Sequence, residues 1–148
     1  MDIKIRLIRE NSVMPIKASN GSSGFDLYSC EEVAIPPGCR RLVPLGFNIR
    51  LPFGYEAQIR PRSGLAAKHG LTVLNTPGTI DSDFDGDGPD FEVKVILYNS
   101  SPDTYTVKKG ERVAQMVIAE VPYVTLVLDT ELNTTRNQDR KGGFGSTG

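Results

Sequence analysis

The sequence predicts an all-β barrel or jelly roll carrying one short helix, and three observations lead there. Apolar residues recur with a period of two in many short runs, as in Leu45, Phe47, Ile49 and Leu51, the pattern of half-buried strands. Fifteen glycines and ten prolines in 148 residues supply many turns, hence many short strands. Only Ser63 to Gly70 reads as a helix, with a serine start and a glycine stop. A chain of this length, 39% hydrophobic and 24% charged, has the composition of one globular domain with a real core.

Taken in order, Ile3, Ile5 and Leu7 alternate with charged Lys4 and Arg6, a half-buried strand. Residues 10–24 are polar and rich in Ser, Asn and Gly, so a loop follows. Residues 25–30 form a strand, and residues 33–37 and 40–43 form short strands around Pro36-Pro37-Gly38. Residues 45–51 alternate until Pro52-Phe53-Gly54 turns the chain into a strand over residues 55–60. Residues 74–81 read as strand, Pro77-Gly78 turn and second strand, a hairpin. Residues 93–98, 113–121 and 124–128 are further strands, with a turn over 99–103. After Asp129 the apolar pattern ends, which divides the chain into a domain over 1–133 and a flexible glycine-rich tail over 134–148. There is no internal repeat.

Charge and cysteine use limit the function. A net charge of −1 gives no global attraction to nucleic acid or to an anionic membrane. Six acids and no base lie between Asp81 and Glu92, so the rest of the chain is mildly basic. Such a body suits an anionic ligand bound away from the acids, or a cation bound among them. No apolar run approaches a membrane span, and the charged start does not resemble a secretory leader. The expectation is a cytoplasmic protein with Cys30 and Cys39 reduced. Two cysteines and one histidine are too few for structural zinc.

Several stretches have the chemistry of a site, each with a plainer reading beside it. Amides at the tip of a 74–81 hairpin can hydrogen-bond a flat polar ring, and Asp81 can hold or deprotonate a water; on this stretch alone an ordinary hairpin with a surface aspartate is the commoner case. Arg62, Ser63 and Gly64 stand where a strand enters the helix, which makes either an anion site or a capped helix with a solvated arginine. The spacing is not that of a Walker A loop. Gln115 is a polar residue inside a strand, facing solvent or satisfying a backbone group. His69, at a helix end with no nucleophile pattern beside it, reads as a surface or capping residue. Phe144, with Ser146 and Thr147, could close over a base and its phosphates or belong to a free terminus.

Together these segments resemble the trimeric dUTP pyrophosphatase (dUTPase) family along nearly the whole chain. Five motifs stand in order: Ser23-Gly24-Phe25-Asp26-Leu27-Tyr28-Ser29; Pro61-Arg62-Ser63-Gly64-Leu65-Ala66; Gly78-Thr79-Ile80-Asp81-Ser82-Asp83-Phe84; Gly110-Glu111-Arg112-Val113-Ala114-Gln115; and Gly142-Gly143-Phe144-Gly145-Ser146-Thr147-Gly148. The resemblance implies a distorted jelly-roll β-barrel assembled as a homotrimer with sites at subunit junctions. One chain supplies the first, second and fourth motifs, a neighbour the third, and the third chain its tail. It implies hydrolysis of dUTP to dUMP and pyrophosphate with Mg²⁺, limiting uracil in DNA and supplying dUMP for thymidylate. By resemblance Asp81 is the general base and Asp26 holds Mg²⁺ through water. Arg62, Ser63, Gly64 and Gln115 grip phosphates, while Asn75 and the backbone of Gly78, Thr79 and Ile80 read uracil. Phe84 packs under deoxyribose. Phe144 stacks on uracil, with Gly145, Ser146 and Thr147 around the terminal phosphate.

The chain departs from the family pattern in three places. Phe84 stands where the family usually has tyrosine. Arg140 lies one step from the tail position of the family's arginine, which Asp139 occupies, so Arg136 or Lys141 are alternatives for that phosphate. About five residues, Asp87-Gly88-Pro89-Asp90-Phe91, are added after Asp85-Gly86. With this addition, Asp81 to Glu92 has the D-x-D-x-D-G-x5-E spacing of a calcium loop, Asp81, Asp83, Asp85 and Glu92 being the ligands. The flanking strands suit a solvated, self-repelling, mobile acidic loop better, with Ca²⁺ or a protein as its possible partner. Two other readings share the fold or pocket: a dCTP deaminase, and a nucleotide-binding regulatory protein acting through residues 85–91.

Overall fold

In the computed structural model, which describes residues 1–130, the alternating runs become short strands that pair far across the sequence. They are β1 (Lys4–Leu7), β2 (Phe25–Tyr28), β3 (Val33–Ile35), β4 (Arg40–Pro44), β5 (Phe47–Arg50), β6 (Tyr55–Arg60), β7 (Leu71–Val73), β8 (Gly78–Ile80), β9 (Lys94–Asn99), β10 (Tyr105–Val107) and β11 (Arg112–Glu120). One helix, α1 (Ser63–His69), and one 3₁₀ turn (Pro89–Phe91) accompany them. Every strand pair is antiparallel. The order β2-β11-β6-β8 makes a four-stranded sheet and β4-β9-β7 a three-stranded one, beside the pairs β1-β5 and β10-β3. All of them feed one core: Leu27, Ile35, Val43, Phe47, Ile59, Val73, Val95, Val107 and Val113 are buried in a single cluster. Apolar faces of several small antiparallel sheets closing on one core is the expected jelly-roll logic.

The pairings differ from the local reading in instructive ways. β3 and β4 flank the Pro36-Pro37-Gly38 turn, yet β3 pairs with β10 and β4 with β9. Residues 74–81 do not form a hairpin: β7 pairs with β9 and β8 with β6. The turn at the cis Thr76–Pro77 bond carries the chain from one sheet to the other. β10 was not expected, since three residues with only Tyr105 and Val107 apolar give too little alternation to see. Asn99 explains the turn beside it. Its buried amide donates to the carbonyls of Ile35 (2.8 Å) and Asp103 (2.7 Å), and its oxygen accepts from Ser101 N–H (2.9 Å).

Residues 124–128, expected as a strand, have no regular structure and are exposed, Leu126 at 94% and Leu128 at 88%. A run with strand-like composition and no partner among the described residues has its apolar side chains in water. Cys30 is buried and donates its S–H to Pro44 O (3.2 Å), and Cys39 is half-buried; both are free thiols. Burial pushes the Cys30 thiol up, away from the reactive thiolate. Among the described residues no helix is long and apolar enough to cross a membrane.

The acidic loop is folded down rather than self-repelling. Asp85 pairs with Arg50 (2.9 Å), and Asp87 pairs with Arg6 (2.9 Å) and Arg50 (3.4 Å). Buried Asn48 clasps Gly88 with two hydrogen bonds, donating to its carbonyl (2.9 Å) and accepting from its N–H (3.1 Å). The basic residues that neutralise the loop come from β1 and β5, far away in sequence. Glu92 faces inward: its carboxylate is fully buried and accepts from Arg9 (2.7 Å) and from Gly46 N–H (3.0 Å). Asp83, Asp85 and Glu92 therefore do not converge as calcium ligands, and among the described residues no group of three or more acidic, His or Cys side chains could hold a metal.

Candidate active site

The first half of the site lies on the β2-β11-β6 face. Asp26 on β2 stands opposite Gln115 on β11, which stands opposite Arg60 on β6. The Asp26 carboxylate is mostly buried, 3.3 Å from the Arg112 guanidinium and 3.9 Å from that of Arg62. Arg62 also donates to Arg112 O (3.0 Å), which fixes its head against β11. Gln115 donates through Nε2 to Pro61 O (3.0 Å), tying β11 to the entrance of α1. Arg62, not Ser63, is the N-cap residue; no side chain caps the helix, so the Ser63 hydroxyl is exposed in the first turn with Gly64 beside it. Guanidinium, hydroxyl and amide groups around one carboxylate suit a multiply charged anion.

This face needs Gly24. A Cβ there would lie 2.8 Å from Gln115 Oε1 and 3.2 Å from Gln115 Cβ, so any larger residue displaces that amide. Arg112 was quoted within a motif but given no role. Its contact with Asp26 comes from the β2-β11 pairing, which the motif does not reveal.

The second half lies at the other edge, around β8. Asn75, Gly78, Thr79 and Ile80 line a slot of about 90 Å³ together with Lys94. It adjoins a groove of about 260 Å³ lined by Leu42, Thr79, Ile80, Asp81, Phe84 and Lys94 among others. The residues expected to read a ring, pack a sugar and activate water are thus brought together. Asp81 is exposed, and its carbonyl accepts from Phe84 N–H (3.1 Å) in the turn that presents both side chains. A wider cleft of about 390 Å³ also borders Asp81, lined by Phe53, Tyr55 and residues 121–124 among others, and touches neither Gly78 nor Phe84. Lys94 was missed by sequence reasoning; its exposed place between buried Val93 and Val95 is the signal that put it on this face. His69, as expected, is at the surface, its ring 4.9 Å from that of Tyr105.

One chain does not bring the two halves together. Asp26 and β8 are three strand spacings apart, and Asp81 follows the Ile80–Ala57 pair, four residues along β6 from Arg60. At the usual spacings this separates them by about 20 Å. Arg136, Arg140, Lys141, Phe144, Gly145, Ser146 and Thr147 lie outside the described residues.

An anion-gripping face and an amide-lined slot with an adjacent carboxylate, on a small jelly roll, define a protein that handles a phosphorylated polar ring. The chain belongs to the dUTPase family, whose model matches residues 10–148. It is 49% identical over 148 residues to the deoxyuridine 5'-triphosphate nucleotidohydrolase of Nautilia profundicola, covering all of this chain and 99% of the relative. It is 51% identical over 154 residues to that of Ehrlichia canis, covering 99% and 96%. Among solved structures it is similar to the dUTPase of Streptococcus mutans (25% identity, TM-score 0.75, covering 84% of this chain and 99% of that one). A Staphylococcus bacteriophage 80alpha dUTPase mutant with dUpNHpp superposes over 99% and 98% at TM-score 0.81 and 22% identity, a likeness of fold.

Proposed function

We propose that this protein hydrolyses dUTP to dUMP and pyrophosphate in sites that form where copies of the chain meet. The observation that carries this is the split site: an anion face and a ring slot with its carboxylate, about 20 Å apart at strand spacings, on a chain of the dUTPase family. The exposed apolar residues 124–128 support association, here read as a homotrimer in the cytoplasm.

In this reading Arg62, Ser63, Gly64 and Gln115 hold the phosphates of one dUTP, with Arg112 steadying Asp26. A neighbour's slot receives the base. Its Asn75 and the backbone of Gly78, Thr79 and Ile80 pair with the uracil edge, and Phe84 packs against C2′. Asp81 orients and deprotonates the water that attacks the α-phosphorus. Negative charge on three phosphates makes neutralisation and in-line placement the main requirements. Asp26 fits Mg²⁺ as a lone carboxylate among arginines, since this ion takes one or two carboxylates and keeps water and phosphate as its other ligands. Bound there through water, Mg²⁺ supplies charge neutralisation on the triphosphate. Residues 134–148 serve as a closing tail that brings Phe144 to the base and one of Arg136, Arg140 or Lys141 to the terminal phosphate.

The test is to incubate the pure protein with dUTP and Mg²⁺ and follow pyrophosphate, with UTP and dCTP in parallel. Rapid release from dUTP alone is the expected result; equal kcat/KM for UTP, or release of ammonia from dCTP, would overturn the reading. Gly24→Ala gives a finer check. Displacing the Gln115 amide removes one phosphate hydrogen bond, about 1 kcal/mol or roughly fivefold in KM. An unchanged KM would show that Gln115 does not hold substrate.

A further inference from the structure

The added residues after Gly86 carry a ring into the site's surroundings. Phe91 lies with its ring centroid 5.4 Å from that of Phe84, the planes inclined at 54°, a favourable tilted aromatic contact. The fit on its other side is close. A Cβ at Gly86 would lie 2.2 Å from Phe91 Cδ2, so the ring rests directly on the glycine backbone, and only glycine permits it. Phe91 is held in place from both ends. Before it, Gly88 is clasped by Asn48, and the 3₁₀ turn closes with Phe91 N–H on Gly88 O (3.3 Å). After it, the buried Glu92 carboxylate is anchored by Arg9 and Gly46. Asp85 and Asp87 pin the loop to Arg50 and Arg6. The loop therefore transmits the rigidity of β1 and β5 to one side chain of the groove beside Asp81.

We propose that Phe91 is a positioning residue for Phe84, so that this loop sets how strongly the site rejects a ribose 2′-hydroxyl. This rests on the reading above that Phe84 packs against C2′. Phe84 is half-buried and lines the groove with Ile80 and Asp81. With Phe91 present its ring has a wall behind it and cannot tilt away from the sugar. Without that wall the ring gains room, and a sugar one oxygen larger is accommodated.

The experiment is a double-mutant cycle on the full chain, reading the ratio of kcat/KM for dUTP to that for UTP. Phe91→Ala is expected to lower this ratio about tenfold, the scale on which apolar shape discriminates small groups, with kcat for dUTP within about threefold of wild type. Phe91→Tyr restores the ratio because the ring is kept. Phe84→Ala lowers it at least as far, and adding Phe91→Ala to that variant changes nothing more. If Phe84→Ala leaves the ratio intact, the sugar-packing reading fails, and the proposal with it. If Phe84→Ala lowers the ratio but Phe91→Ala does not, the proposal alone fails. A further drop in the double variant would also overturn it, since the loop would then act elsewhere. Should Phe91→Ala not fold, Phe91→Val, which removes the ring and most of the wall but keeps an apolar side chain, takes its place in the same cycle; a smaller fall in the ratio is expected, and an unchanged ratio overturns the proposal.

Discussion

Asp81→Asn is expected to lower kcat for dUTP by about 10²–10⁴-fold, the usual worth of a positioned general base, while dUTP still binds. The substitution keeps the shape and one acceptor oxygen, and removes the charge and with it the ability to take a proton. The fold has no stake in the charge. Asp81 is exposed, its carboxylate makes no ion pair among the described residues, and the turn uses its backbone carbonyl. The loss should fall on the chemical step, so single-turnover rates and calorimetric binding of dUTP separate the two effects. A variant that turns over dUTP at near wild-type rate would remove Asp81 from the mechanism.

Arg9→Ala should have the largest effect on stability, about 3 kcal/mol, or a Tm roughly 6–12 °C lower at this chain length. Glu92 is fully buried and its charge is balanced by Arg9 at 2.7 Å; the Gly46 N–H alone remains when the guanidinium is removed. An unbalanced buried carboxylate costs far more than a lost surface pair. Glu92→Gln, which removes the buried charge and keeps one of the two accepted hydrogen bonds through its single carbonyl oxygen, should cost clearly less, and an Arg9→Met/Glu92→Leu double variant less than Arg9→Ala alone. Urea unfolding at fixed protein concentration, which matters for an associating chain, checks the order. Arg9→Ala within half of a kcal/mol of wild type would mean the pair is solvated rather than buried, contrary to what its geometry requires.

The two halves of the site were legible to different degrees. Gly78, Thr79, Ile80, Asp81 and Phe84 are neighbours in the chain, so their grouping around one slot and groove follows from a short segment. Lys94 and Leu42 join them only through pairing of β9 with β4 and β7. In the other half, Asp26, Arg62 and Gln115 stand 36 or more positions apart in sequence. Their meeting depends on β2 and β6 flanking β11, which no local pattern announces. Arg112 was overlooked for the same reason.

Residues 81–92 show the division most clearly. Read as a string, six acids without a base predict repulsion, mobility or a bound cation. In the fold, Arg6, Arg9 and Arg50 arrive from β1, the following loop and β5 and neutralise three of them. Residues 124–128 show the converse. Their composition is that of a strand, but a strand also needs a partner edge, and the described residues offer none.

By itself the sequence determined the all-β class, most of the strand positions to within a few residues, the single helix and the turn sites, because periodicity, glycine and proline act locally, and its five ordered motifs pointed to the family. Tertiary structure alone decided that β7 and β8 part company at Pro77, that β3 and β4 take other partners, and that Glu92 faces inward to Arg9. It also decided that Phe91 backs Phe84. Each of these is a choice between partners distant in the chain, and it is made by the summed burial and charge balance of the whole core, to which no short stretch has access.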